Sequence, residues 1–249
     1  MVRDNGVMKI SVCLAMYNGE RYIASQIRSI LDQLGPSDEI VVVDDCSRDE
    51  SVQIVSALGD PRIRLIRNDT NLGILGTFER ALRESAGDIL FLSDQDDIWR
   101  SDKVERVVSI FASDPAITLV ASDAQVIDDV GNVTTQSFFS QRGAFSAGLV
   151  HNLVKNKYLG CTMAFRRSML GHFLPIPPDV PMHDMWFGAL NQIYGRTIFI
   201  DQPLISYRRH GSNASPSVGA LPVKRAVWRW RLLKNLVARI VRGRSDGIE

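Results

Sequence analysis

Short apolar runs without charge alternate along the first 115 residues with longer stretches whose apolar positions fall at helical spacing. Ile10 to Met16 is the first run, and it ends at Tyr17-Asn18-Gly19-Glu20. Behind it Ile23, Ile27, Ile30, Leu31 and Leu34 share one helical face, closed by Gly35-Pro36. Glu39 to Val43 reads as a second buried strand running into Asp44-Asp45-Cys46-Ser47, with Ser47 or Asp49 capping a helix that turns Val52, Val55 and Leu58 inward. Arg62 to Arg67 alternates apolar and basic residues, the pattern of a more exposed strand. The turn Asn68 to Gly73 leads to a helix on Ile74, Leu75, Phe78, Ala81 and Leu82, ended by Gly87. Ile89 to Leu92 then carries no charge and stops at Asp94, Asp96 and Asp97, before a helix capped by Ser101 with Val104, Val107, Val108 and Phe111 on one face. Strands alternating with helices in this way predict right-handed βαβ crossovers and a largely parallel α/β sheet.

Beyond residue 115 the spacing is less regular. It predicts a strand over Ile117 to Ala121 and a hairpin over Ala124 to Thr135, turning at Asp129-Val130-Gly131-Asn132. An apolar strand over Leu159 to Phe165 is followed by a proline-rich connector, His172 to Pro181. His183 to Tyr194 reads as a helix with Trp186, Phe187, Leu190 and Ile193 inward. Two short strands, Thr197 to Ile200 and Leu204 to Tyr207, precede a polar loop, His210 to Gly219.

At 249 residues, 45% hydrophobic and 23% charged, the composition is that of one sizeable globular domain, with or without a small appendage. The cysteines, Cys13, Cys46 and Cys161, lack zinc-ligand spacing and are expected to be reduced cytosolic thiols. Residues 1 to 9 do not have the pattern of a signal peptide, and no stretch approaches the ~20 apolar residues of a membrane span. Charge changes the picture at one end. Residues 222–244 hold eight Lys/Arg and no acid, which leaves the remainder net negative under an overall charge of +1. In that tail Val223, Ala226, Val227, Trp230, Leu233, Val237, Ile240 and Val241 form a stripe, while Lys224, Arg225, Arg229, Arg231, Lys234, Arg239 and Arg242 fall largely elsewhere. A cationic helix with a Trp-bearing stripe fits the surface of an anionic membrane; the alternative is a stripe docked on the domain or on a second subunit of a homodimer. No motif for reading nucleic acid is present, so no nucleic-acid partner is expected.

Three acids at a strand end repel one another, and a hard divalent cation such as Mg²⁺ or Mn²⁺ removes that penalty. Ligands of open α/β sheets bind beyond the strand carboxyl ends, where these acids lie. Asp44 and Asp45 end the second strand, where a carboxylate can accept the imide N–H of a uracil or thymine ring and a ribose hydroxyl, or else cap the next helix. Tyr17, Asn18 and Glu20 end the first, where an aromatic face can pack on a base and an acid can bind ribose. Asn68 to Gly73 is positioned to line the same crevice.

Six segments in order carry a resemblance: Val12 to Glu20, Val43 to Ser47, Phe91 to Trp99, Asn156 to Cys161, His183 to Trp186 and Tyr207 to Asn213. Together they resemble the inverting glycosyltransferase family 2, of GT-A fold. The Asp-Gln-Asp-Asp-Ile-Trp version, residues 94–99, is similar to the bacterial rhamnosyltransferase-like branch that builds surface polysaccharides. The resemblance implies a GT-A domain over 8–215, with a nucleotide-binding half at 8–115 and an acceptor-binding half at 116–215. A Rossmann-like, mostly parallel sheet would be sandwiched by helices, with the basic amphipathic tail of 222–244 appended. It implies a nucleotide-sugar site of Ala15, Tyr17, Asn18, Glu20, Asp44, Asp45, Asn71, Gly73, Asp96, Arg208 and Arg209. Asp94, Asp96, Asp97 and His210 would hold Mn²⁺ or Mg²⁺, and Asp184 would be the catalytic base. Transfer of L-rhamnose from a dTDP donor to a lipid-linked saccharide, at the cytoplasmic face of the cell membrane, is the activity it points to. The chain departs from the family in having Met16 where Pro or Thr is frequent, and Cys46 where Gly is frequent. A sugar nucleotidyltransferase would instead favour a Gly-rich basic loop after the first strand, which Tyr17-Asn18-Gly19 does not supply. A binding or scaffold module without catalysis is the other alternative, against which the acids at 96, 97 and 184 speak.

Overall fold

The computed structural model describes residues 8–140, 156, 158–211 and 222–245. The first apolar run forms β1 (Ile10–Met16), buried along its whole length. It pairs in parallel with β2 (Glu39–Asp44) and with β4 (Ile89–Ser93), and β2 pairs in parallel with β3 (Ile63–Arg67), so the order is β3-β2-β1-β4. Strands covered on both faces need apolar side chains at every position, which is why β1, β2 and β4 do not alternate. Successive residues of β1 feed opposite cores. Val12 and Leu14 pack with Ile23, Ile27 and Ile30 of α1 (Ile23–Leu31) and with Val55 of α2 (Ser51–Ala57). Cys13 and Ala15 pack on the other face with Phe78, Ala81 and Leu82 of α3 (Gly73–Glu84).

The second half extends the same sheet with mixed pairing. In chain order it adds β5 (Ile98–Trp99), α4 (Lys103–Ser113), β6 (Ile117–Ile127), β7 (Val133–Thr135), β8 (Met163–Arg166) and β9 (Arg196–Arg208). β8 is antiparallel to both β4 and β6, β9 is parallel to β6, and β5 is antiparallel to β9. The α/β class and the parallel first half agree with the periodicity. Several details differ from it. The two strands expected over 197–207 are one strand, β9, whose register against β6 shifts between Ser122 and Gln125, so Pro203 is accommodated at an irregularity opposite Asp123. β6 likewise absorbs both the strand at 117–121 and the first arm of the hairpin, which turns over 128–132 onto β7. The segment from Leu159 makes a 3-10 turn at Gly160–Thr162 before β8 begins. α4 starts at Lys103 without a side-chain cap from Ser101, and α2 starts after Glu50, whose N–H is taken by the Glu20 carboxylate at 3.0 Å. All three cysteines are free thiols. Residues 212–219 of the polar loop lie outside the described residues.

α5 (Leu170–Phe173), α6 (His183–Tyr194) and α7 (Pro222–Ser245) complete the chain. α7 docks through Leu232 and Leu236, which join the core around Trp186 and Phe187 of α6. Arg239 Nη1 donates to the carbonyls of His172 and Leu174, 2.8 and 2.7 Å away. The sequence stripe is on the opposite face: Val223, Val227, Trp230, Leu233, Val237 and Val241 are all exposed. Among the described residues no helix is long and apolar enough to cross a membrane.

Candidate active site

Beyond the carboxyl ends of β1, β2 and β4 lies a cavity of about 290 Å³. Of the residues singled out from sequence, Ala15, Tyr17, Asp45, Asn71, Gly73, Asp94, Asp96 and Asp184 line it. Their elements meet there because β1, β2 and β4 are adjacent and parallel, while α6 begins at the same end of the sheet.

Asp45 organises one side of the cavity. Its Oδ1 accepts the Asn68 amide and the Leu72 N–H, both at 2.7 Å, and its Oδ2 accepts the Gly73 N–H at 2.9 Å. It therefore caps α3 rather than the next helix in sequence, α2. Asn71 Nδ2 closes the loop onto the Asp45 carbonyl at 3.0 Å. The residue after Asp45, Cys46, has φ +67°, a left-handed conformation for which glycine is the least strained choice. Asp44 is buried behind this loop, where its carboxylate accepts the Ser47 N–H at 3.2 Å and meets Arg67 Nε at 3.5 Å. Asn18 and Glu20 are turned toward α2, accepting the N–H groups of Arg48 and Glu50. Both line an adjoining groove together with Arg209 and His210, separated from the cavity by Gln95. Gln95 locks onto the Tyr17 backbone in both directions, accepting its N–H at 2.8 Å and donating to its carbonyl at 2.9 Å.

The acidic loop divides its carboxylates between two environments. Asp94 and Asp96 line the cavity, and Asp96 Oδ2 lies 2.8 Å from His210 Nε2. Asp97 does not line the cavity; it is fully buried, and its Oδ1 accepts the Arg208 N–H at 2.9 Å. Arg208, expected near phosphates, sits beneath the loop, with Nε donating to the Asp96 carbonyl at 2.8 Å and Nη1 to the carbonyls of Asp128 and Asp129. Its guanidinium lies over the Tyr22 ring at 4.6 Å. Burial, reinforced by the charges of Asp96 and Asp184, pushes the Asp94 carboxyl up to about 7. An anionic cluster that resists ionising in this way is relieved by a bound cation. Asp96 and His210, in contact with each other, offer a hard oxygen and an imidazole, donor types that suit Mg²⁺ or Mn²⁺, with Asp94 lining the cavity beside them. Asp94, Asp97 and Cys161 also present donor atoms within 4.8 Å of one another, with Asp97 and Cys161 fully buried.

Lys103 was not singled out from sequence. It is completely buried, donates from Nζ to the Cys161 carbonyl at 2.8 Å and lies 4.1 Å from the centre of the Trp99 ring. Burial brings its ammonium down to about 8, against the favourable charges of Asp97 and Asp94. The signal was available, because position 103 is in register with Val107 and Phe111 on the inward face of α4. Gln95, Cys161 and His183 were likewise passed over as site residues.

Asp184 is in the first turn of α6 and 7% exposed. Its Oδ2 accepts the Asn156 amide at 3.2 Å and its Oδ1 the Met185 N–H at 2.6 Å. A carboxylate oriented by two donors at the wall of a largely apolar cavity is suited to taking a proton from a hydroxyl.

Comparison with known proteins agrees with this geometry. The family model for glycosyl transferase family 2 matches residues 11–174. The chain is 30% identical over 217 residues, 83% of its own length and 66% of the relative's, to alr2836 of Nostoc sp., named an uncharacterized glycosyltransferase. It is 28% identical over 165 residues, 66% of this chain and 62% of the relative, to WfgD of Escherichia coli, a UDP-Glc:α-D-GlcNAc-diphosphoundecaprenol β-1,3-glucosyltransferase. The fold is similar to that of TarS 1–349 of S. aureus in complex with UDP-GlcNAc, with a TM-score of 0.72 at 19% identity, covering 94% of this chain and 67% of that one. The chain thus spans about two thirds of the length of these relatives.

Proposed function

The chain belongs to glycosyl transferase family 2, and on that footing we propose that it is a metal-dependent inverting glycosyltransferase of bacterial surface-polysaccharide synthesis. The observation that carries the reading is convergence. Asp45, Asp94, Asp96 and Asp184, from three separate segments, open onto one cavity at the sheet's carboxyl edge.

In this reading Asp45, Tyr17 and Asn71 hold the nucleoside, and Asp94, Asp96 and His210 hold the divalent ion. When bound, the ion neutralises charge developing on the departing diphosphate. Arg209, which lines the adjoining groove with His210, would contact the same diphosphate. Asp184 removes the proton of the acceptor hydroxyl as its oxygen attacks the anomeric carbon. The bond from that carbon to the diphosphate breaks on the opposite side, so the configuration inverts. Asp97 and Arg208 act beneath the site, holding the acidic loop in shape.

The donor is proposed to be dTDP-L-rhamnose, from the Asp94 to Trp99 motif. A lipid-linked saccharide acceptor is supported by the diphosphoundecaprenol acceptor in the name of WfgD. The outward face of α7, apolar and flanked by Lys224, Arg225, Arg229 and Arg231, would meet the anionic inner leaflet where such acceptors reside. A panel of nucleotide sugars, assayed for nucleoside diphosphate release with acceptor and with or without Mn²⁺, tests the reading. Metal-dependent release from one donor, with an inverted product, is the expected result; release from none, or formation of pyrophosphate from a sugar phosphate, overturns it.

A further inference from the structure

One buried polar ring on the cavity wall has no part in the chemistry above. His183, immediately before Asp184, is 3% exposed, and neither ring nitrogen has a hydrogen-bond partner among the described residues. Its ring centroid lies 4.2 Å from that of Phe78 and 6.1 Å from that of Phe187, so its neighbours are aromatic surfaces that satisfy neither nitrogen. A phenyl ring would occupy this slot without the cost of burying two unpaired polar atoms. Gly160, which also lines the cavity, packs so closely on the ring that a Cβ there would collide with Nε2. Burial holds the imidazole neutral, with its proton affinity lowered to about 4, so it offers one donor and one acceptor.

We propose that His183 is a specificity-determining residue for the transferred sugar, its imidazole turning into the cavity to hydrogen-bond a sugar hydroxyl once the donor is bound. The assignment rests on the glycosyltransfer reading. It favours the sugar over the nucleoside because Asp45, Asn71 and Tyr17 mark the nucleoside side, whereas His183 adjoins the proposed base beside the reacting carbon. A hydroxyl both donates and accepts, which matches a neutral imidazole with both nitrogens vacant. The orphaned ring is then a polar group suited to a ligand hydroxyl, and the absence of a side chain at Gly160 is what lets the ring sit at the cavity wall.

The test compares wild type, H183F and H183N. Affinity is measured for the free nucleoside diphosphate, and kcat and KM for the accepted sugar nucleotide and for analogues each lacking one sugar hydroxyl. H183F should bind the nucleoside diphosphate as wild type does while losing about 10- to 100-fold in kcat/KM, the worth of one buried hydrogen bond. One deoxy analogue, lacking the hydroxyl that is read, should be used equally by both proteins, and H183N should recover part of the loss. In the wild type the His183 side-chain ¹⁵N resonances should move with sugar nucleotide and stay unmoved with nucleoside diphosphate alone. Unchanged kcat/KM in H183F for every analogue, or unmoved resonances with the full donor, would overturn the assignment while leaving glycosyltransfer intact. Absence of turnover by wild type with any donor would remove the underlying reading and this proposal together.

Discussion

Oδ1 of Asp97 accepts the backbone N–H of Arg208 at 2.9 Å, joining positions 111 residues apart. The same arginine ties the Asp96 carbonyl to the turn at 128–129, so the end of β9 underpins the acidic loop. Asp96 then faces His210, two residues past Arg208. Replacing Arg208 by Ala leaves three carbonyls, that of Asp96 buried and those of Asp128 and Asp129 part-buried, without this donor, and Arg208→Ala should lower unfolding stability by about 3 kcal/mol. Urea denaturation measures this; a loss under 1 kcal/mol would show that the loop does not depend on the arginine.

Asp184→Asn keeps the side-chain shape and removes the basic oxygen. Transfer should fall by about 10²- to 10⁴-fold, while nucleoside diphosphate affinity, measured by calorimetry, stays within a factor of about two. Wild-type transfer by Asp184→Asn would take the proton-accepting role away from this residue.

The metal assignment is checked without turnover. Mn²⁺ at about one hundred times its dissociation constant should stabilise the wild type by about 2.7 kcal/mol, since it binds the folded chain alone. Asp96→Asn and His210→Ala should each lose most of that gain in thermal melts, and a chelator should reverse it in the wild type. An undiminished gain in both variants would move the ion to another set of ligands, of which Asp94, Asp97 and Cys161 are the ready alternative.

Much of this arrangement was legible because β1, β2 and β4 are buried on both faces, and uninterrupted apolar runs mark such strands whatever surrounds them. The acids at 45, 94, 96 and 184 were legible for a related reason, each following an apolar strand or opening a helix. What periodicity does not encode is the direction of a side chain within a loop. Asp94 and Asp96 face the cavity while Asp97 turns into the core, a division set by Arg208 from another strand. Lys103 is in register with the inward face of α4, but a charge at a helix start reads as solvated, and its buried partners come from residues 99 and 161. β9 read as two strands because Asp201-Gln202-Pro203 interrupts the apolar run, and only pairing with β6 carries the chain across it.

His183 makes a pH dependence. Its folded-state proton affinity is depressed from 6.5 to about 4 by burial, so between those values the unfolded chain binds more protons and stability rises with pH. Acidification from pH 6.5 to 4 should therefore cost the wild type about 3 kcal/mol at this residue. Other groups titrate in the same range, so the measurement is the difference between wild type and His183→Phe across it. A difference that does not change with pH would show that His183 titrates normally in the folded protein.

The two faces of α7 make opposite predictions. Leu232 and Leu236 are buried against α6, and Arg239 of the same helix donates to the carbonyls of His172 and Leu174. Leu232→Ala should cost about 2–5 kcal/mol of stability, as for other buried leucines. Trp230 is 63% exposed and Val237 53% exposed, so Trp230→Ser with Val237→Ser should leave stability within about 0.5 kcal/mol of wild type. Binding to vesicles containing anionic lipid should respond in the reverse order. The double serine variant should lose most of it, because it removes apolar area from a helix whose cations only bring it to the surface. Raising the salt should weaken wild-type binding, since the approach depends on Lys224, Arg225, Arg229 and Arg231. Trp230 reports directly: its fluorescence should shift to the blue on adding anionic vesicles and stay unshifted with neutral ones. If the serine variant binds anionic vesicles as tightly as wild type, the outward stripe is not the membrane-contacting face.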